Sequence, residues 1–239
     1  LGRDVQVAGI AATPTAALLV REHRAAGGIQ VSASHNPPEY NGLKLLSAPG
    51  RMLPATEGEA VLERYQQDLA SPPARSPGGR IPVEHASSIH LGKILETVDV
   101  DRIAGQQFRV LLDANHGAGG LLGRPLLEAL GCELTLVGET PDGQFEHPAE
   151  PTALNLAPLI ERLGEGDYDV VFCQDPDADR LAVIDQRGNY LGEELTLALC
   201  LDHVLPLRAG AAVTNCASSQ VCEEIAIRHG VPFYRSAVG

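Results

Sequence analysis

The chain reads as an α/β protein built from consecutive related modules, and three observations predict it. Short apolar runs alternate with longer amphipathic stretches along all 239 residues, the pattern of strands layered against helices. The segment 71–79, Ser-Pro-Pro-Ala-Arg-Ser-Pro-Gly-Gly, is dense in Pro and Gly and has the composition of a linker. Strand-helix alternation recurs three times, giving units over 1–80, 81–187 and 188–239, with no clean residue-level repeat beneath it.

In the first unit, Val5–Ile10 is a strand candidate. Thr15 to Ala26 reads as a helix, with Thr15 as its cap after Pro14 and Gly27-Gly28 as its stop. Gly28–Val31 is a strand that runs straight into a polar turn, Leu43–Leu46 resumes as a strand, and Ala55 to Leu69 is helical. The second unit opens near Ile81 with a helix over Ala86–Val98 and a buried strand, Phe108–Asp113. A helix over Leu121–Leu130, closed by Gly131, leads to the strand Cys132–Val137 and an irregular loop over 141–158. The strands Asp169–Cys173 and Leu181–Ile184 follow, with Arg187-Gly188-Asn189 as a hairpin turn. The third unit starts about Leu191 with a helix. It continues through the strand Ala211–Asn215, the helix Ser218–His229 and the strand Val231–Arg235.

Composition narrows the function. Hydrophobic residues make up 44% and charged residues 21%, close to globular averages, so wholesale disorder is excluded. A net charge of −13 and a pI near 5.0 argue against nucleic-acid and anionic-membrane partners, which call for clustered Lys and Arg. Aromatic residues are only 4% and Trp is absent, so base-stacking platforms are not expected. The five cysteines are odd in number and none is spaced Cys-x-x-Cys, which speaks against a disulfide framework or a zinc site and suits a reducing cytoplasm. No apolar run reaches the length of a membrane span, and the start shows no charged-then-apolar signal pattern.

Two segments carry the chemistry. Val31-Ser-Ala-Ser-His-Asn-Pro37 sets the Ser34 hydroxyl beside His35 in a turn that Asn36-Pro37-Pro38 closes. Asp175-Pro-Asp177-Ala-Asp179-Arg180 places three carboxylates at alternating positions, which an extended segment would aim to one side. Three carboxylates so placed repel unless a cation neutralises them, and a hard divalent cation wants oxygen ligands. An EF-hand loop is excluded, because its sixth position would be Arg180 rather than Gly and its twelfth Gln186 rather than Glu. If the segments meet in space, a phosphorylated Ser34 completes an oxygen-ligand site; taken alone, Ser34 is an ordinary turn serine. Two further motifs point elsewhere. Asp113-Ala-Asn-His-Gly117-Ala-Gly119-Gly fails the dinucleotide fingerprint, because the third glycine falls on Leu122, and reads as a packed strand-to-helix turn. His147-Pro-Ala-Glu150-Pro reads as a domain-surface loop.

The chain resembles the α-D-phosphohexomutases on three segments: Ser32-Ala-Ser34-His35-Asn36-Pro37, Glu39-Tyr-Asn41-Gly42-Leu-Lys44 and Asp175–Arg180. Softer similarity in Thr13-Pro14-Thr15 and the strand pattern runs the whole length. The resemblance implies consecutive α/β/α modules with mixed sheets. Members of that family are four-domain proteins of roughly twice this length. The chain is therefore expected to begin inside domain 1, at Leu1–Val7, and to stop inside domain 3, at Ser236–Gly239. The sugar-recognition loop and the phosphate-gripping fourth domain would lie past Gly239. Gly192-Glu193-Glu194-Leu195 lacks the Ser-Gly of that sugar loop and reads as the opening of a helix.

The resemblance further implies that Ser34 carries the transferred phosphoryl group. It also implies that one Mg2+ would be held by Ser34, Asp175, Asp177 and Asp179 and that a glucose 1,6-bisphosphate-type activator would phosphorylate the serine. Arg180 is expected to contact the reacting phosphate, Lys44 to act as general base or electrostatic partner, and His35 to position the phosphate or shuttle a proton. The expected reaction interconverts hexose 1-phosphate and hexose 6-phosphate through a bisphosphorylated sugar. Glu39-Tyr40-Asn41-Gly42 favours the phosphomannomutase/phosphoglucomutase branch, glucose or mannose, over the amino-sugar branch. The rivals are a metal-dependent sugar phosphatase and a fragment that is non-catalytic or limited to the half-reaction.

Overall fold

The computed structural model describes residues 2–37, 39–67, 76–164 and 166–237. Pro38, positions 68 and 69 of the expected helix, positions 71–75 of the linker and the last two residues lie outside the described residues.

The architecture is α/β with mixed sheets. The first part consists of β1 (Val5–Val7), α1 (Thr13–Glu22), β2 (Gly27–Val31), β3 (Leu43–Ser47), α2 (Ala55–Gln66) and β4 (Arg80–Pro82). β1 pairs with β4 in parallel, and β2 with β3 antiparallel in a register that sets Gln30 opposite Lys44. The middle part holds α3 (Ala86–Leu95), α4 (Val100–Ala104), β5 (Arg109–Asp113), α5 (Gly120–Ala129), β6 (Glu133–Val137), α6 (Ala157–Ile160), β7 (Val170–Gln174) and β8 (Leu181–Asp185). Its four strands lie in the order β6-β5-β7-β8, parallel except for the antiparallel β8. The last part is α7 (Gly192–Leu207), β9 (Ala212–Asn215), α8 (Val221–Arg228) and β10 (Phe233–Ser236), with β9 parallel to β10.

The central sheet is covered on both faces, as parallel strands require. Leu111, Val171, Cys173, Ala182 and Ile184 point to one side and pack on Leu156 and Leu159. Val110 and Leu112 point to the other and pack on Leu127 of α5. This two-faced burial is why β5 and β7 read as continuous apolar runs. The outer sheets are less covered: Val5, Ile29, Val31, Leu43 and Val213 are all more than half exposed.

Several sequence expectations are corrected. α1 starts at Thr13, with Pro14 in its first turn, so Thr15 is not its cap. Thr15 is instead buried, and its hydroxyl meets His90 Nδ1 of α3 at 2.9 Å. Gly27 and Gly28 belong to β2 rather than to a helix stop: a side chain at Gly27 would strike the Leu46 carbonyl and one at Gly28 the Val20 side chain. β1 ends at Val7, and α3 ends at Leu95. Sequence reading missed β4, α4 and α6, each five residues or fewer, where periodicity has too few positions to register. α4 had a signal in Asp99, whose carboxylate accepts the Arg102 N–H at 3.0 Å. The turn at Gly188 is found, its φ of 79° demanding the glycine.

Ile184 is fully buried between β7 and the α6 region. Ile184→Ala is expected to lower unfolding free energy by about 2–5 kcal/mol, read from the urea midpoint at unchanged slope.

Candidate functional site

Strand β7 ends at Gln174, and the chain turns sharply before returning as β8. The turn is built around the Asp175 carboxylate, whose Oδ1 accepts the backbone N–H groups of Asp179 and Arg180 at 3.1 and 3.0 Å. The Ala178 N–H donates to the Asp175 carbonyl at 2.9 Å, and Ala178 takes a left-handed φ of 52°. The three carboxylates therefore converge through a tight turn, not through extended alternation as the spacing had suggested. Their oxygens lie within 4.8 Å of one another. Asp113–Gly120 packs beneath: Ala118 N–H donates to the Pro176 carbonyl at 2.7 Å, and a Cβ on Gly117 would lie 2.5 Å from that oxygen. The packing reading of that turn fits this contact.

Three elements of the first part meet this loop. The turn after β2 presents Ser34 in a left-handed conformation (φ 53°), stabilised by its N–H donating to Ser32 Oγ at 2.8 Å. Ser34 Oγ donates to Asp175 Oδ2 at 3.2 Å, across 141 residues of sequence. His35 Nδ1 lies 3.4 Å from the same hydroxyl. From β3, Lys44 Nζ donates to Asp177 Oδ2 at 2.6 Å and to Asp179 Oδ2 at 2.8 Å. From the start of α1, the Thr13 hydroxyl donates to Asp177 Oδ2, and the Thr13 N–H to the Asp177 carbonyl at 2.9 Å. Sequence reading noted Thr13 only as soft similarity and gave it no role; nothing local distinguishes a threonine beside a proline.

Burial sets the charges. Asp175 is fully buried, and desolvation pushes its carboxyl up to about 7, reinforced by the charges of Asp177 and Asp179 and only partly opposed by the backbone N–H of Arg180. Asp177 is also buried, yet the hydrogen bonds from Lys44 and Thr13 outweigh desolvation and hold it below its ordinary range. For Lys44, burial pulls the ammonium down, but hydrogen bonds and charge from Asp177 and Asp179 leave it raised. Lys44 thus stays cationic beside the two acids. Arg180 points its Nη1 between two acids, Glu150 Oε1 at 3.3 Å and Glu193 Oε1 at 3.8 Å.

The donor set fits a hard divalent cation: three carboxylates and one hydroxyl, all oxygen, with no sulfur or nitrogen ligand among them. Asp177 Oδ1 is buried without a hydrogen-bond partner among the described residues. An orphaned anionic oxygen in such a cluster is costly unless a cation engages it. Lys44 meets two of the acids directly, His35 meets Ser34, and Arg180 meets Asp175 through its backbone N–H while its side chain turns to Glu150 and Glu193.

Comparison with known proteins gives the family. The family model for phosphoglucomutase/phosphomannomutase α/β/α domain I matches residues 1–71, and that for domain II matches residues 88–188, together well over half of the chain. A phosphoglucomutase/phosphomannomutase of Thermococcus kodakarensis is 36% identical over all of this chain and 53% of its own length. A phosphoglucosamine mutase of Sulfurovum sp. is 33% identical over all of this chain and 55% of its own length. The crystal structure of a phosphoglucomutase/phosphomannomutase family protein from Burkholderia thailandensis shares the fold, with a TM-score of 0.80 at 24% identity over 99% of this chain and 52% of that one. The chain spans about half the length of the relatives it matches. With both domain models matching in order and the serine and aspartate loops meeting as described, the chain belongs to the phosphoglucomutase/phosphomannomutase family, the α-D-phosphohexomutases.

Proposed function

We propose that this chain carries the phosphoserine and metal centre of a hexose phosphate mutase, an enzyme that interconverts hexose 1-phosphate and hexose 6-phosphate. The observation that carries the reading is the Ser34 hydroxyl, 3.2 Å from Asp175 Oδ2 at the edge of three converging carboxylates. An exposed turn serine needs no such neighbours, whereas a phosphoserine, with close to two negative charges, needs cations around it.

Ser34, Asp175, Asp177 and Asp179 would hold one Mg2+, which when bound supplies positive charge next to the transferring phosphoryl group. The residues do the positioning. Phosphorylated Ser34 gives its phosphoryl group to a free hydroxyl of the sugar phosphate; the phosphorus–Oγ bond breaks as the new phosphorus–oxygen bond forms. Lys44 and Arg180 place fixed positive charge where negative charge spreads over the phosphoryl oxygens. The attacking hydroxyl gives up its proton and the departing Ser34 Oγ takes one, and His35, 3.4 Å from Oγ, is placed to shuttle it between them. The bisphosphorylated sugar then turns over and returns its other phosphate to Ser34. We assign the serine loop to a unit over 1–80, the aspartate loop to one over 81–187 and the remainder to a third over 188–239. Glucose and mannose are the sugars favoured by Glu39–Gly42, and relatives named for glucosamine make that the competing substrate to assay.

The direct test is intact mass after incubation with magnesium and glucose 1,6-bisphosphate. The parent is expected to gain one phosphoryl group and Ser34→Ala none; an equal mass gain in the two, or no gain in either, would defeat the reading, and steady phosphate release without isomer formation would replace it with a phosphatase.

Magnesium binding is expected to depend on pH through Asp175. Its raised carboxyl stabilises the metal-free fold fully below its ordinary 3.8, and that contribution is lost as pH rises through about 7. Metal binding needs the carboxylate, so its stabilisation grows over the same interval. At pH 8 and 100-fold excess over Kd, magnesium should add about 2.7 kcal/mol. At pH 5.5 the gain should be smaller by about 2 kcal/mol, as read from melting curves with and without the ion.

A further inference from the structure

We infer that Glu150 is a positioning residue for Arg180, carried by a strap over residues 142–151 that a pair between His147 and the buried Asp113 fastens across the end of the central sheet. The inference rests on the reading that Arg180 meets the reacting phosphoryl group. It gives a purpose to two motifs that the mechanism leaves unused, the Asp113–Gly119 turn and the His147–Pro151 loop.

The strap is tied down on both sides of Glu150. His147 Nε2 lies 2.7 Å from Asp113 Oδ2, at the end of β5, where Asp113 is 1% exposed. Asn115, fully buried with a left-handed φ of 44°, accepts the N–H groups of Glu146 and His147 through Oδ1 at 2.9 and 3.4 Å. Its amide donates to the His147 carbonyl at 3.1 Å. Beyond Glu150, the Tyr190 hydroxyl donates to the Pro151 carbonyl at 2.7 Å. The Asn155 amide donates to the carbonyl of Glu150 itself at 2.8 Å. Pro148 and Pro151 flank the segment and remove much of its backbone freedom.

All this order delivers one carboxylate to Arg180 Nη1, in a pair whose two side chains are 34% and 42% exposed. Such a pair contributes little to folding stability. A network joining His147 to the buried Asp113 and Asn115 is a large support for so weak a bond, unless what matters is where the guanidinium points. Glu193, at the start of α7, approaches the same Nη1 from the following part of the chain. With Nη1 held between two acids, Nη2 and Nε of Arg180 have no partner among the described residues and are available as donors. A fork so oriented suits the oxygens of a phosphoryl group.

Glu150→Gln keeps the shape and removes the charge, and two readouts test it. The first is the rate at which phenylglyoxal modifies Arg180, followed by peptide mapping; it needs no catalysis. Loss of the clamp should raise that rate about two- to fivefold, with no change in melting temperature. The second is the rate of Ser34 phosphorylation by glucose 1,6-bisphosphate, expected to fall roughly three- to tenfold at an unchanged half-saturating concentration. His147→Gln, which loosens the strap without touching Arg180, should shift both readouts in the same direction. Unchanged Arg180 reactivity in Glu150→Gln overturns the inference, as does a loss of rate matched by a fall in melting temperature. Absence of phosphorylation in the parent would defeat the mutase reading alone, since the labelling still decides the role of Glu150.

Discussion

Three carboxylates cannot share one turn as anions unless positive charge lies among them. In this chain the charge comes from Lys44, whose ammonium bridges Asp177 and Asp179 at 2.6 and 2.8 Å. Lys44 belongs to β3 and the acids to the turn between β7 and β8, so neutralising the turn means docking the first part of the chain on the second. Thr13 and Ser34 reinforce the same docking from α1 and from the turn after β2. Two ion pairs and these hydrogen bonds together hold the serine turn against the aspartate turn.

The compensation is incomplete. Lys44 reaches two of the three acids, the buried Asp175 is held near the neutral form, and Asp177 Oδ1 keeps no partner among the described residues. The same loop is supported from below by Gly117 and Ala118, which press on the Pro176 carbonyl, and from the side by the strap that carries Glu150. Left-handed residues at Ser34, Asn115 and Ala178 mark where the backbone accepts strain to bring these groups together.

Much of the fold was legible because strands buried on two faces leave continuous apolar runs, and β5, β7 and β8 are such strands. The elements that escaped were β4, α4 and α6, too short for a period to show, and α1 began two residues early because Pro14 opens its first turn rather than preceding it. Among site residues, Asp175, Asp177, Asp179 and Arg180 stood out as a dense, unusual local string, whereas Ser34 alone read as an ordinary turn serine and drew its meaning from the resemblance. Thr13, Glu150 and Glu193 did not stand out, because each is a common residue type whose meaning is its partner's position.

The sequence by itself determined the α/β class, the order of the elements and the two polar turns, since period, apolar content and turn chemistry are local properties of the chain. Only the tertiary structure decided that Ser34 and Asp175, 141 positions apart, come within hydrogen-bonding distance. It alone decided that the aspartates converge by a turn, that Lys44 is an ion-pair partner and that Glu150 meets Arg180. The physical reason is that pairing and desolvation are set by what lies within a few ångströms in space, and spacing along the chain carries no record of that distance.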